Sequence, residues 1–117
     1  MNEKDIKSAI ESVGIPCAHM SWVRGSAPEL PWAVFYLDDT DGFFADDGIY
    51  SGVHNWIVEL AQRSSDKTLE ENLENVIVTE FGPFSKSEYW DSQENCLITS
   101  YSFSLLDNQE QELNNAY

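Results

Sequence analysis

The sequence predicts an α+β domain in which two amphipathic helices lie on a mixed or mainly antiparallel sheet of four or five strands. Two segments repeat apolar residues at helical spacing, and five others are short apolar runs or alternate apolar with polar residues. Clusters of glycine, proline, serine and aspartate separate these segments. The resulting element order, α-β-β-β-α-β-β, belongs to the α+β class.

The length of the chain indicates one domain. With 117 residues, 42% of them hydrophobic, it is long enough to bury a core and too short for two ordinary domains. We place the domain at residues 1–106. Residues 107–117 are polar and lack periodicity, so we expect them to form a flexible C-terminal tail.

The N-terminal segment predicts a helix over about residues 3–13. Four apolar residues fall at i, i+3, i+4 and i+7 and therefore share one face: Ile6, Ala9, Ile10 and Val13. Gly14 and Pro16 then provide a stop signal. We expect this helix to bury one narrow stripe against the sheet.

Two strands are predicted next. Residues 17–23 form a short candidate strand, which the prolines and glycine of residues 24–31 interrupt. Residues 32–37 are six consecutive apolar residues. A run that is so short and so apolar predicts a strand covered on both faces.

An acidic segment follows at residues 38–48, with five aspartates and no basic residue. We predict a loop or hairpin tip here, because aspartate and glycine are turn formers. The adjacent aromatic residues Phe43 and Phe44 gain little stabilisation at an exposed tip unless another surface covers them. The segment is therefore the candidate interface with another subunit or a partner, through Asp38, Asp39, Asp41, Phe43, Phe44, Asp46 and Asp47.

A calcium site is the chemical alternative for this acidic segment, since hard cations bind carboxylate oxygens. The EF-hand loop requires acidic residues at positions 1, 3 and 5, glycine at 6 and glutamate at 12. Starting from Asp38 or Asp39, that register fails. We therefore expect no metal site.

Residues 49–63 predict a third strand. Large, mainly apolar residues recur at every second position, which is the period of a half-buried strand: His54, Trp56, Val58 and Leu60. Two further strands are predicted near the C-terminal end, at residues 84–91 and 97–106. The last has the clearest alternation in the chain.

The second helix is predicted at residues 67–80. Four apolar residues repeat at i, i+4, i+7 and i+8 and are expected to be buried: Leu69, Leu73, Val76 and Ile77. Glu70, Glu71 and Glu74 are expected on the solvent side. Gly82 and Pro83 end the helix.

Catalytic signatures are absent from the sequence. His19 and His54 are the only histidines, and no nucleophile elbow, zinc-protease motif or phosphate loop is present. Cys17 next to His19 is a conceivable nucleophile pair, but activation of a thiol needs an electropositive setting that this chain lacks. Cys17 and Cys96 do not make a disulfide framework or a zinc site. We expect neither enzyme activity nor a cofactor.

The charge excludes further classes of partner. Six basic and 21 acidic residues give a net charge of −15, which repels phosphate backbones and disfavours tight nucleic-acid binding.

No apolar run approaches the ~18 residues of a membrane span, so we expect no membrane partner. The first residues lack the layout of a signal peptide, so we expect an intracellular protein.

Four tryptophans are many for a chain of this length: Trp22, Trp32, Trp56 and Trp90. Some must fill the core, while others are available as anchors at the centre of an interface. The sequence leaves open which is which.

Residues 27–36, Ala-Pro-Glu-Leu-Pro-Trp-Ala-Val-Phe-Tyr, resemble the entry segment of small phage tail proteins. The likeness continues through a strand at 56–60, a helix at 66–79 and a closing strand at 97–106. Over residues 3–106 the chain is therefore similar to the tail terminator proteins of long non-contractile-tailed phages and prophages, also called tail completion or tail-to-head joining proteins.

The resemblance implies a structural role in virion assembly. In that family six small α+β subunits form a ring that caps the tail tube and docks to the head connector. The implied partners are further copies of this chain in a ring, which is a hexamer on the tail, together with the tail tube protein and the head–tail connector protein. DNA only passes through the ring, and an acidic lumen repels its phosphates. The implied location is the bacterial host cytoplasm during assembly and then the virion tail.

Proteins of other classes are also acidic and small. An acidic inhibitor that mimics DNA, of the anti-restriction type, is the alternative function. Such an inhibitor spreads its carboxylates along helices or strands in imitation of phosphate spacing, whereas five are bunched here in one segment. An unassigned metal-dependent enzyme is the third hypothesis.

Overall fold

A computed structural model describes residues 3–23, 25–44 and 50–106. The elements occur in the predicted order: α1 (Glu3–Glu11), β1 (Cys17–His19), β2 (Trp32–Phe44), β3 (Tyr50–Gln62), α2 (Lys67–Glu80), β4 (Ser85–Asp91) and β5 (Cys96–Leu106). The predicted α+β class is thereby confirmed. The expected tail at 107–117 lies outside the described residues.

The five strands form one mixed sheet in the order β1-β2-β3-β5-β4. β1 runs parallel to β2, and the other three pairings are antiparallel. The α2 helix connects β3 to β4, which pairs on the far side of β5. β1 and β4 are consequently the two edges of the sheet.

The helices cover one face of this sheet, which we call the covered face. Phe35, Val58 and Tyr101 lie opposite one another on β2, β3 and β5 and form a row across its centre. All three are fully buried, as are the helix residues Ile6 and Ile10 of α1 and Leu73 and Ile77 of α2. Burial of such apolar side chains supplies the main favourable term in folding.

The second helix has the predicted bounds. Asp66 caps it, with its carboxylate accepting a hydrogen bond from the Leu69 backbone N–H at 3.1 Å. Of the four residues expected to be buried, Leu73 and Ile77 are, while Leu69 and Val76 are only half-buried. Leu73 and Ile77 therefore form the centre of the buried side of α2, and Leu69 and Val76 lie at its margins.

The expectation that Glu70 faces solvent is wrong. Its side chain is buried, and its carboxylate accepts hydrogen bonds from Ser65 Oγ at 2.6 Å, Gln62 Nε2 at 3.2 Å and Lys86 Nζ at 3.1 Å. Burial alone would raise the pKa of Glu70, but these three donors outweigh it, so the pKa is lowered. A buried carboxylate is tolerated here because it is fully hydrogen-bonded.

Lys86 extends this contact to the rest of the sheet. Its ammonium also donates to Glu74 at 2.8 Å, and the Tyr101 hydroxyl donates to the same carboxylate at 2.9 Å. The hydrogen bond to Glu74 is the main cause that raises the pKa of Lys86. We call Gln62, Ser65, Glu70, Glu74, Lys86 and Tyr101 the Glu70 network, which joins α2 to three strands.

Two predicted elements are shorter in the structure. The first helix ends at Glu11 instead of Val13, because the next residues form a turn that leads into Gly14 at φ +94°. The first strand ends at His19 instead of residue 23, since Met20 adopts a left-handed φ of 72° that interrupts the extended chain. Val13 still packs against the core.

Neither of the two helices is long and apolar enough to cross a membrane within the described residues.

Candidate assembly interface

The two longest strands form an arm at one end of the sheet. β2 and β3 pair along nearly their whole length, from Trp32 opposite Ala61 to Phe44 opposite Tyr50. β1 accompanies β2 only as far as Phe35, and β5 accompanies β3 only as far as Val53. We call residues 38–44 together with 50–55 the arm. Its outer part is two-stranded in the described portion of the chain.

The arm accounts for the elongated shape of the molecule. A 13-residue strand spans ~43 Å at about 3.3 Å per residue. The structure measures 51 × 26 × 25 Å along its principal axes. Only the long axis can hold these strands, so the arm forms one end of the molecule.

The prediction of a loop or hairpin tip over residues 38–48 is wrong for its first part. Residues 38–44 lie in β2, and pairing with β3 keeps them extended despite the low strand propensity of aspartate and glycine. Asp38 falls where the register shifts between Leu37 and Asp39.

The structure brings most of the candidate interface residues onto the arm. Asp38 and Asp39 are exposed at its base. Asp41, Phe43 and Phe44 follow along β2, where their backbones pair with Val53, Ser51 and Tyr50 of β3. Asp46 and Asp47 lie outside the described residues.

Side-chain hydrogen bonds fasten the base of the arm to the sheet. Asn55 Nδ2 donates to Asp39 Oδ1 at 2.5 Å, and Ser104 Oγ donates to Asn55 Oδ1 at 2.6 Å. Thr40 Oγ1 and His54 Nδ1 are 3.1 Å apart on the other side of the hairpin. A polar cleft of about 510 Å³ lies beside this base and is lined on one side by Asp38, Asp39 and Asn55.

We call the face of the sheet opposite the helices the open face. By strand register it carries Val34 and Tyr36 of β2, Glu59 and Ala61 of β3, Ile98 and Ser100 of β5, and Ser87 and Tyr89 of β4. Ala61, Cys96 and Ile98 form a small second core there, against which Leu30 and Trp32 pack. No described helix covers this face.

One side of the open face is aromatic, and it consists of Trp22, Trp32, Tyr36 and Tyr89. Trp22 meets Trp32 edge-on, with ring centroids 6.1 Å apart and planes at 76°. Tyr89 is 51% exposed. Burial, and then the negative charge of the nearby Glu59 carboxylate, raise the pKa of both Tyr36 and Tyr89.

The structure thereby sorts the four tryptophans. Trp56 is buried in the main core beside Phe35, with ring centroids 6.1 Å apart. Trp22 and Trp32 belong to the open face. Trp90 on edge strand β4 is 54% exposed. Trp90 is therefore placed as a surface residue and Trp56 as a core residue.

Cys17 and His19 lie two residues apart on β1, but Cys17 is buried. Burial, and then the Glu11 carboxylate, raise the pKa of Cys17 to about 12, although Lys7 opposes them. The thiol is protonated near neutral pH and is a weak nucleophile. His19 packs its ring against Phe35, with centroids 4.9 Å apart.

The described residues contain no group of three or more histidine, cysteine, aspartate or glutamate side chains placed to hold a metal ion. Asp38 and Asp39 at the base of the arm are accordingly not part of a described metal cluster. What the arrangement offers is a projecting hairpin and an aromatic, partly uncovered sheet face.

Comparison with protein-family models yields no match for this chain, and comparison with curated proteins yields no significant similarity.

Proposed function

We propose that this protein is a structural subunit of a phage tail, which assembles as a ring on the end of the tail tube and joins it to the head connector. The observation that carries the proposal is the arm. Among the described residues, 42–44 of β2 and 50–52 of β3 continue as a two-stranded end of the arm past the strands that flank them. The resemblance of residues 3–106 to tail terminator proteins supports the same role.

A projecting hairpin favours assembly for a physical reason. A two-stranded ribbon is marginal in water by itself, because it has little apolar surface to bury and leaves backbone groups at its edges. Contact with a neighbouring subunit supplies both needs. Because the arm is at one end of the molecule, a contact with a different surface of the next copy is heterologous and can close a ring.

The charge is compatible with a ring around DNA. The net charge is −15, and the carboxylates of Asp38 and Asp39 are exposed at the base of the arm. Acidic surfaces that face a lumen repel phosphates and let a duplex pass without adhesion. The same charge opposes contact between neighbouring subunits, so salt should promote assembly by screening.

Self-assembly of the purified protein tests the arm directly. We expect concentrated protein, or protein added to purified tail tubes, to form closed rings visible by electron microscopy, and more of them at higher salt. The double variant Phe43→Ser/Phe44→Ser should lose rings. Val78→Ser is the matched control, because Val78 is an exposed apolar residue on α2. Equal ring formation by both variants would remove the arm from the interface.

Deletion of the gene from its phage tests the function itself. Filled heads with separate, often overlong tails support tail termination. Complete, infectious particles reject it and favour the DNA-mimic alternative, which would instead be measured as inhibition of a restriction enzyme. A DNA mimic needs carboxylates at phosphate-like spacing. The deletion experiment distinguishes the two functions without knowledge of that spacing.

A further inference from the structure

The open face contains a pocket that the role of the arm does not use. It has a volume of about 330 Å³ and lies between the segment after β1 and the end of β4. Trp22, Trp32 and Tyr89 contribute aromatic rings to its lining, and Glu59, Asp91 and Glu94 contribute carboxylates. Its described lining includes no lysine or arginine.

We propose that this pocket binds the cationic side chain of a lysine or arginine presented by a basic partner protein. An aromatic face attracts a cation through its quadrupole, and a carboxylate beside it adds Coulomb attraction and hydrogen bonds. The inference rests on the proposed function only for the identity of the partner, which would be a protein of the tail or the head connector.

The Glu59 carboxylate is well placed for such a contact. It lies on β3 near the middle of the open face, it is half-buried, and it lines the pocket together with Tyr89. A half-buried carboxylate has less conformational freedom to lose when it binds a cation than a fully exposed one. Partial burial also strengthens its attraction for a charge that enters the pocket.

The other two carboxylates differ in their freedom. Asp91 Oδ1 accepts hydrogen bonds from the backbone N–H groups of Gln93 and Glu94, at 3.0 and 3.2 Å, and so closes the turn between β4 and β5. Glu94 is exposed. Glu59 is therefore the anchoring charge and Glu94 a charge available for attraction at longer range.

Charge complementarity favours a different protein over a second copy as the source of the cation. This chain has 6 basic and 21 acidic residues, so two copies repel overall. One of the six, Lys86, is already paired with Glu70 and Glu74.

The test uses Nα-acetyl-arginine amide as the probe and its uncharged counterpart Nα-acetyl-citrulline amide as the comparison. Both are titrated into the full chain, labelled with ¹⁵N, and the four tryptophan indole signals are followed by NMR. We expect the arginine probe to shift the Trp22 and Trp32 signals with saturation, leaving Trp56 unchanged, and citrulline to bind at least five-fold more weakly.

Matched variants locate the charge. Glu59→Gln keeps the shape of the side chain and removes its charge, and it should weaken arginine binding at least five-fold. Glu71→Gln removes the same charge from an exposed position on α2 and should leave binding unchanged. Tyr89→Leu, at a half-exposed site, provides a second variant if Glu59→Gln fails to fold. Repeating the titration with Arg24→Ala tests whether a basic residue of the chain itself, two positions after Trp22 in the sequence, competes with the probe.

Several results would overturn the proposal. Equal binding of citrulline would mean an apolar contact, and equal losses in Glu59→Gln and Glu71→Gln would mean unspecific charge attraction. No saturable shift in either the wild type or Arg24→Ala would mean that no such pocket operates. Shifts of the same signals that depend on protein concentration without probe would assign the pocket to a second copy. None of these outcomes bears on whether gene deletion leaves tails unjoined, so the two proposals fail independently.

Discussion

The two faces of the sheet have the same backbone but are completed by different means. On the covered face, α1 and α2 bury the row through Phe35, Val58 and Tyr101, and the Glu70 network pairs a buried carboxylate. On the open face, a small second core gives way to serines, a half-buried glutamate and exposed aromatic rings.

This difference separates stability from interaction within one small domain. Apolar area removed from water stabilises the fold, and most of the buried apolar residues belong to the covered face. Aromatic groups that stay exposed next to carboxylates contribute little to folding but are suited to binding. Substitutions on the two faces should therefore have unequal effects on stability.

The largest expected effect is at the centre of the covered face. Leu73→Ala removes a fully buried side chain of α2 and should lower the free energy of unfolding by ~2–5 kcal/mol, because it leaves a cavity. Urea unfolding followed by circular dichroism measures this. Val78→Ala on the exposed side of the same helix is the control and should change stability by less than ~0.5 kcal/mol. Similar losses of stability in both variants would contradict the placement of Leu73 on the buried side and Val78 on the exposed side of α2.

Removing the buried carboxylate should have the next largest effect. Glu70→Ala leaves Gln62 and Ser65 without their acceptor and should cost ~1–3 kcal/mol. Glu71→Ala, the neighbouring exposed residue, should cost less than ~0.5 kcal/mol by the same urea measurement. If the two variants were equally stable, the Glu70 network would have no role in holding α2.

The pKa of Glu70 gives the stability a defined pH dependence. Its folded-state pKa lies below the ordinary value of 4.5, so the unfolded chain takes up this proton first. The stabilisation by Glu70 is present above pH 4.5 and is lost as the pH falls through the lower folded-state pKa. Urea midpoints of wild type and Glu70→Gln, measured from pH 7 to pH 2, should converge at the acid end; a constant gap would refute this.

Exposed aromatic residues should matter much less for stability. Trp90→Ala on edge strand β4 is expected to change the free energy of unfolding by ~0.5 kcal/mol or less, because the side chain is 54% exposed. Trp56→Ala is the buried comparison and should cost ~3–5 kcal/mol. Thermal unfolding of both variants measures the contrast, and a Trp90 loss as large as that of Trp56 would show that the edge is packed.

The smallest expected effect concerns cations at the arm. Calorimetric titration with calcium, magnesium and manganese should reveal no site tighter than about millimolar, since the aspartates lack the spacing of a calcium loop. A heat of binding with micromolar affinity that disappears in Asp39→Asn/Asp41→Asn would show that the arm is a metal site. The single variant Glu71→Asn serves as the control for loss of surface charge.

The sequence alone was sufficient for the element order and for the bounds of α2. Periodicity carries this information because a helix or strand with one buried side must repeat apolar residues at its own period. It also located the acidic segment that contains most of the arm. It did not find the proposed cation pocket, because Trp22, Glu59 and Tyr89 come from three separate segments that only the folded chain brings together.

Tertiary contacts decided the remaining features. Glu70 is predicted on the solvent side by its helix alone, and its burial becomes favourable only with hydrogen bonds from Ser65, Gln62 and, 16 residues later on β4, Lys86. Residues 38–44 have turn-forming composition, yet pairing with β3 holds them in a strand. In both cases a partner distant in the chain outweighs a local preference, because one good long-range contact is worth more than the propensity it overrides.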